Sequence, residues 1–469
     1  MDERATTTRC ANCAVLEARI AELEARLAEL EARLAKLAKN SSNSSKPPSS
    51  DIVKPAAAAG KKRSRRKRGA QPGHPKHERP AFSPEEIDRT RDYLFERCPE
   101  CDGPLEVLDE PARVLQQIEI NPRPTKVTAH RSRTCRCRKC RKEFVKPIPR
   151  PVRKAGLAGP RLTALVGYLK GACHCSFSTI QRFLRDVLGV KISRGQLRKV
   201  CGKVTRSLDE PYQELLTALP EQARLNVDET GHKEYKQAMW TWCFRAPLFT
   251  LFKIDPSRGS DVLLSVLGTE FDGVLGCDYF SAYRKYLRLN QHVLVQFCLA
   301  HLIRDVRFLV EHPQAKNRAY GRRVLQALRD LFGLIHRREK MSKRAFLGQL
   351  EDQGYEVWTQ ATHRVPRTSE AQNLAERFRQ HGREYIRFIT TPGVEPTNNL
   401  AEQAIRFVVI DRRVTQGSRS LAGRNWLERI WTAIATCTQH GQSVFDFLNR
   451  SVQALFADQS APSLLFGTS

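Results

Sequence analysis

Three widely spaced carboxylates are the side chains whose type and placement could do hydrolytic chemistry. Asp228 ends a stretch over residues 224–228 that reads as a short strand, and Asp278 ends a second over 273–278. Carboxylates at strand ends gather along one sheet edge, where sites on such sheets are built. Phosphodiester cleavage needs a reactive attacking oxygen and a stabilised leaving oxygen in line. A pair of divalent ions, Mg2+ (or Mn2+), about 3.5–4 Å apart does both. Mg2+ keeps several waters, so two or three carboxylates suffice to hold it. A strand-end aspartate is equally ordinary turn chemistry. The third acid, Glu402, follows Pro396-Thr397-Asn398-Asn399-Leu400-Ala401 and opens a helix predicted to run through residue 410. The local pattern fits bland roles as well. Asn399 and Glu402 have capping-box spacing, and Arg406 stands one turn on, placed to pair with Glu402.

Cysteines supply a second chemistry. Cys98-Pro-Glu-Cys101 and Cys137-Arg-Lys-Cys140 are two C-x2-C pairs. Four such thiolates suit tetrahedral zinc. The intervening loop is longer than in the shortest zinc ribbons, and Cys135 competes as a ligand. Arg131, Arg133, Arg136, Arg138, Lys139, Arg141 and Lys142 crowd the second pair, which suits a finger lying on DNA. Cys10-Ala-Asn-Cys13 is a lone pair. Cys298 and His301 share one face of a helix but lack a second ligand pair, which favours packing or DNA-end positioning over metal binding.

These groups need elements to place them. The order over 222–450 is three strands, helix, strand, helix, strand, then helices. It predicts an α/β ribonuclease-H-like catalytic core, a mixed sheet covered by helices. Residues 155–215 read as helical. A helix capped by Ser176 or Ser178 runs through Leu188 to Gly189, and a second, capped by Ser193, carries Arg194, Arg198, Lys199 and Lys203. That is a helix-turn-helix pattern with a basic second helix, though short-turn helix pairs are also common scaffolding. Residues 92–146 form the zinc-finger-like domain and 451–469 a C-terminal tail.

Upstream, Leu16, Ile20, Leu23, Leu27, Leu30, Leu34 and Leu37 alternate four- and three-residue spacing. This heptad seam predicts a coiled coil over 14–39. Arg19, Arg26 and Arg33 fall at g positions and Glu17, Glu24 and Glu31 at e positions. In a parallel pair Arg19 meets Glu24 and Arg26 meets Glu31 of the partner, so the charges specify a parallel homodimer. A single amphipathic helix packed on its own chain is the alternative. Residues 40–80 are a Ser-, Asn- and Pro-rich basic linker containing Lys61, Lys62, Arg63, Arg65, Arg66, Lys67 and Arg68. Self-repulsion keeps such a run extended, and along a duplex it neutralises phosphates without reading sequence.

The 469 residues exceed one ordinary core, and the formal charge of +29 points to a polyanionic partner, with a solvated basic surface as the alternative. No secretory signal and no run of about 18 apolar residues is present, which places the chain in the cytoplasm with its thiols reduced.

Several motifs in order resemble the insertion sequence 66 family of DDE transposases. They are Val227-Asp228-Glu229-Thr230-Gly231 with Trp240 after it, Asp278-Tyr279 through Tyr283, and Gln296-Phe297-Cys298-Leu299-Ala300-His301-Leu302-Ile303-Arg304-Asp305. Residues 396–406, Gly69-Ala70-Gln71-Pro72-Gly73-His74 and the cysteine finger also match. The resemblance implies that Asp228, Asp278 and Glu402 are the catalytic acids, with a helical insertion over about 305–390. It also implies that the polyanionic partner is double-stranded DNA: the chain binds terminal inverted repeats, cuts a strand at each end, and lets the freed 3′-hydroxyl attack target DNA, helped by accessory proteins of the same element. The Cys298/His301 pair recurs in the family. Arg406, Arg412 and Arg413 are expected at DNA, although Arg412-Arg413 stands where the family usually has a lysine, and the two residue types are not equivalent. The segment Gly417-Ser418-Arg419-Ser420-Leu421-Ala422-Gly423 is looser than usual. The rival readings are a catalytically inactive or domesticated DNA-binding repressor and a ribonuclease-H-like nuclease that cuts without joining.

Overall fold

The computed structural model describes residues 11–37, 80–107, 114–122 and 124–466. The basic run from Lys61 to Arg68, the Gly69–His74 motif and Cys10 lie outside them. The chain divides into two units, residues 56–129 and residues 1–55 with 130–469.

Helix α1 spans Ala11–Leu37 and is built almost wholly from Ala, Leu, Glu and Arg, strong helix formers. Leu16, Ile20, Leu23, Leu27 and Leu30 of the heptad seam are all exposed. Arg19, expected to face a partner's Glu24, pairs here with Glu22 of its own helix.

In the unit 56–129 a 3-10 turn, Pro84–Glu86, is closed by a capping box between Ser83 and Glu86. Phe82 exchanges two hydrogen bonds with the Gln116 amide at 2.6 and 3.0 Å.

The larger unit, which includes α1, resumes with a hairpin, β1 (Thr134–Arg136) and β2 (Glu143–Val145). Helices α2 (Arg150–Ala155), α3 (Pro160–Gly171), α4 (Phe177–Asp186), α5 (Arg194–Ser207) and α6 (Asp209–Ala218) follow. Ser176, not Ser178, caps α4, accepting from the Thr179 N–H at 3.0 Å. Ser193 caps α5, as the spacing predicts. Gly189, at φ +67°, turns the chain between the two.

Five strands then form one mixed sheet: β3 (Arg224–Glu234), β4 (Gln237–Arg245), β5 (Thr250–Asp255), β6 (Val274–Cys277) and β7 (Leu294–Phe297). Their spatial order is β5-β4-β3-β6-β7, with β3, β4 and β5 antiparallel and β3, β6 and β7 parallel. Helices α7 (Ser260–Leu267) and α8 (Ser281–Leu289) make the crossovers that parallel strands require. After β7 come α9 (Leu299–Val310), α10 (Ala315–Ile335), α11 (Lys343–Thr362), α12 (Ser369–Tyr385) and the short α13 (Arg387–Thr390). The half-buried Arg377 of α12 ties this helical stretch to the sheet side. It pairs with Asp305 at 2.8 Å and lies 3.9 Å over the Tyr279 ring.

The chain returns through α14 (Asn399–Thr415), α15 (Leu421–Gln439) and α16 (Val444–Ala457). Helix α15 covers the outer edge of β5. Glu428, Thr432 and Thr436 accept from the backbone N–H groups of Ile254, Phe252 and Thr250 at 2.7, 3.0 and 3.1 Å. Side chains four apart on a helix and N–H groups two apart on a strand advance by nearly equal steps. Edge donors that could otherwise recruit another strand are thereby paired. Helix α16 packs on α3 and α5. It runs through the boundary expected for a tail at residue 451 and buries Val452, Phe456 and, beyond it, Leu464. Val452 and Phe456 follow a helical period and Leu464 packs beyond the helix end, so the segment belongs to the core rather than to solvent. Among the described residues no helix is long and apolar enough to cross a membrane.

Candidate active site

Strand β3 is longer than its sequence suggests. The strand predicted to end at Asp228 continues to Glu234, pairing with β4 throughout. What ends near Asp228 is the parallel pairing with β6, whose last register is Asn226↔Gly276. Asp278 directly follows Cys277, the last residue of β6. Both acids therefore stand just beyond the carboxyl end of the β3–β6 pair, where the strands part. The Glu229 N–H donates to Asp228 Oδ1 at 3.0 Å, and the Phe280 N–H to Asp278 Oδ1 at 2.9 Å.

Glu402 reaches the same place through Asn398. This buried asparagine precedes α14, yet its side chain caps nothing. Its amide donates to Val227 O at 2.8 Å and accepts from Asn226 Nδ2 at 2.9 Å, while its backbone N–H donates to Cys298 Sγ at 3.1 Å. The helix start is thus pinned to the two residues before Asp228. The bland readings of Glu402 fail on geometry. With Asn398 at the cap, capping-box spacing falls on Ala401. Glu402's neighbours are His301 at 3.5 Å and the cation Arg304 at 3.7 Å, whereas Arg406 is exposed. Glu402 Oε1 is buried without a hydrogen bond.

Burial, then Glu229, Asp278 and Glu402 in that order, push the Asp228 carboxyl well above its usual range. Asp278 is pushed up to about 7 by burial and by Glu229, against the opposing Phe280 N–H and the cations Arg258 and Arg377. Acids crowded this closely favour a proton or a bound cation.

Glu229 was not among the residues singled out from the sequence. Its side chain is almost fully buried and is clamped by Arg258, Nε at 2.9 Å and Nη2 at 2.7 Å, with the Tyr283 hydroxyl donating at 2.5 Å. Arg258 is itself sandwiched against Trp240 and Phe280, 4.5 and 3.9 Å from the ring centres. The adjacent Asp-Glu pair was the available signal. Arg258 gave none, because its partner lies a strand away.

Arg412 points back at β3 and donates to Thr230 Oγ1 at 3.1 Å, two residues beyond Asp228 on the same strand face, while Arg413 is exposed. The following loop docks on the end of β3. Ser418 bridges to Glu234, and at Gly417, φ +86°, an added Cβ would stand 2.1 Å from Lys233 O, so only glycine fits. On α5, Arg194, Arg198 and Lys199 are exposed on the face opposite Leu197, Val200 and Val204. Lys203 departs from that face. It donates to Ala155 O at 2.7 Å and lies over Phe456.

The two cysteine pairs adopt one turn twice. The Cys98 N–H donates to Gly103 O and the Asp102 N–H to Cys98 O, both at 2.9 Å. The Cys137 N–H donates to Lys142 O at 2.8 Å and the Arg141 N–H to Cys137 O at 2.9 Å. Asp102 and Arg141 share left-handed backbone, φ +57° and +60°. The N–H groups of Glu100 and Cys101 lower the Cys98 thiol, and those of Cys140 and Lys139 lower Cys137. Turns that aim N–H groups at sulfur favour the thiolate that metals bind.

A family model described as "Transposase IS66 family" matches residues 155–425, more than half of the chain. Residues 3–80 match a different model, described as a family of unknown function (DUF6444). An uncharacterized protein, y4qI of Sinorhizobium fredii (strain NBRC 101917 / NGR234), is 26% identical over 332 residues, 64% of this chain. The match spans 60% of that relative's length. The segment carrying Asp228, Asp278, Cys298, His301 and Glu402 lies wholly inside the first match, and this chain belongs to the IS66 transposase family.

Proposed function

We propose that the protein is a DNA transposase with a ribonuclease-H-like core, and that Asp228, Asp278 and Glu402 hold a pair of Mg2+ or Mn2+ ions. One observation carries this reading: acids far apart in sequence meet where β3 and β6 part, close enough that Asp278 and Glu402 both raise Asp228. The donor set fits such ions. It is all oxygen, Arg258 is taken up by Glu229, and Glu402 Oε1 lacks a hydrogen bond.

Bound ions would activate the attacking oxygen and stabilise the leaving one. The chain's own residues do the rest. Asn398 fixes Glu402 against β3, the Arg258–Glu229–Tyr283 clamp fixes the strand beside Asp228, and the hydrogen bonds from Glu229 and Phe280 orient the aspartates. Arg412, with Arg406 and Arg413 on the same helix, supplies positive charge for phosphates beside the acids. Arg194, Arg198 and Lys199 form the exposed face of α5 that meets terminal-repeat DNA, and the run from Lys61 to Arg68 adds contacts independent of sequence. The cysteine turns at 98–101 and 137–140 each present two thiolates to Zn2+. The exposed seam of α1 pairs two copies in parallel. Accessory proteins of the same element assist, and the protein works on the nucleoid.

The test is metal-dependent 3′-end joining of a labelled terminal repeat by the full-length protein. Cleaved ends with a free 3′-hydroxyl and joined strands are expected, and Asp228→Asn reduces both about a thousandfold. Equal joining by Asp228→Asn would overturn the assignment. Cleavage without joining would indicate a nuclease, and DNA binding alone a repressor.

A further inference from the structure

We propose that Cys298, His301 and Glu402 form a binding site for a divalent transition-metal ion of the zinc class, with one coordination position left open. The C-x2-H pair lacks further ligands in its own sequence neighbourhood, and the fold brings in Glu402. One ligand atom from each of the three side chains lies within 4.8 Å of the other two. His301 Nδ1 and Glu402 Oε1 are 3.5 Å apart, and both are buried without a hydrogen bond. Around tetrahedral zinc, with bonds of about 2.0–2.1 Å, a nitrogen and an oxygen sit about 3.4 Å apart. A shared cation would satisfy both atoms without moving either far.

The surroundings suit a ligand set. Cys298 precedes α9, and its sulfur accepts the Asn398 N–H at 3.1 Å. Burial raises the Cys298 thiol, and the N–H groups of Asn398, His301 and Ala300 oppose that rise. Burial and then Arg304 keep His301 neutral, the form that ligates. A thiolate, an imidazole and a carboxylate are the donors of zinc-type ions, whereas Mg2+ prefers oxygen alone. Three protein ligands with an open position are the pattern of reactive rather than structural zinc sites. This site shares Glu402 with the proposed Mg2+ pair, so the carboxylate either bridges the two kinds of ion or is held by one at a time; the test for the site reads bound metal and not DNA chemistry.

Full-length protein with Cys98, Cys101, Cys137 and Cys140 all changed to serine is stripped of metal and titrated with Co2+ as the probe. About one equivalent should bind with a thiolate-to-cobalt charge-transfer band and the intense visible bands of four-coordinate cobalt, which Co2+ held by carboxylate oxygens alone does not give. Cys298→Ser should abolish the charge-transfer band. His301→Ala and Glu402→Gln should each weaken binding at least about 100-fold, beyond what outer-shell partners contribute. Melting of the metal-free variants checks folding. Glu402→Gln, near-isosteric on a side chain 20% exposed, decides the matter if the others unfold. No charge-transfer band in the parent, or an unchanged band and affinity in Cys298→Ser or Glu402→Gln, would overturn the proposal and leave an imidazole–carboxylate contact only. Absence of DNA joining by the unsubstituted protein, with the band intact, would count against the transposase reading and leave this site standing.

Discussion

At Cys98 and again at Cys137, a single exposed turn is enough to aim backbone N–H groups at a thiol. Asp228, Asp278 and Glu402 meet only because two parallel strands and a helix pinned by Asn398 carry them together. The contrast separates two ways of preparing for a cation. An exposed turn holds its thiolates in water, so changing it disturbs little else. A buried cluster stores repulsion among its own acids, and the surrounding core must be stable enough to hold them.

Neutralising one buried acid sharpens the comparison most. Asp278→Asn should cut 3′-end joining about a thousandfold and at the same time stabilise the metal-free protein. Folded Asp278 titrates near 7 against an ordinary 3.8. Between those values the folded state holds a proton that the unfolded chain releases, so its contribution to stability falls as pH rises through that window. Urea unfolding at pH 8 should show the variant ahead by on the order of 2 kcal/mol, the gap closing below about pH 4. A less stable variant at pH 8 would break the comparison.

Next in size is the clamp. Arg258→Ala leaves Glu229 buried without its cation and held by the Tyr283 hydroxyl alone, and should lower stability by about 3 kcal/mol. Adding Glu229→Gln should recover most of that loss, and a double-mutant cycle measures the recovery. Simple additivity of the two changes would show that the clamp is not a unit.

His232 gives a smaller, opposite slope. Burial, then Arg412 and Arg424, push it down to about 4. Folding then excludes a proton that the unfolded chain takes up below about 6.5, so stability is full above that pH and drops as pH falls toward 4. His232→Gln should flatten the curve by on the order of 1 kcal/mol, as read from melting across pH. An unchanged slope would assign the acid sensitivity elsewhere. Smallest is the turn itself: Arg141→Gly removes a side chain from left-handed backbone and should tighten Zn2+ binding about two- to fivefold. Weaker binding would show that Arg141 does more than occupy the turn.

The sequence is legible where the cause is local. Ser193 caps α5 as its spacing requires, and Met239 to Phe244 lies in a strand as its β-branched and aromatic content predicts. Asp228 was found through a strand end that is really the end of one pairing, because a sequence does not say which neighbour a strand loses. Glu402 looks like a capping residue in the sequence because nothing there shows that the Asn398 amide is taken up by Asn226 and Val227. The Arg258 clamp and the approach of His301 to Glu402 join residues distant in sequence, so periodicity carries no trace of them. Lys203 reads as one more basic residue of α5, yet it serves packing because α2 and α16 reach it.

The seam between α15 and β5 works as a vernier. Four helical residues advance about 6.0 Å and two strand residues about 6.7 Å, so the two scales drift by about 0.7 Å at each step. Two steps join the three bonds at Ile254, Phe252 and Thr250. A further pair would be out of step by an amount that hydrogen-bond geometry does not tolerate. The helix can seal a strand about as long as β5, Thr250–Asp255, and no longer. Lengthening that edge would expose fresh donors to neighbouring chains, so the reach of one helix sets the width at which this sheet can safely stop.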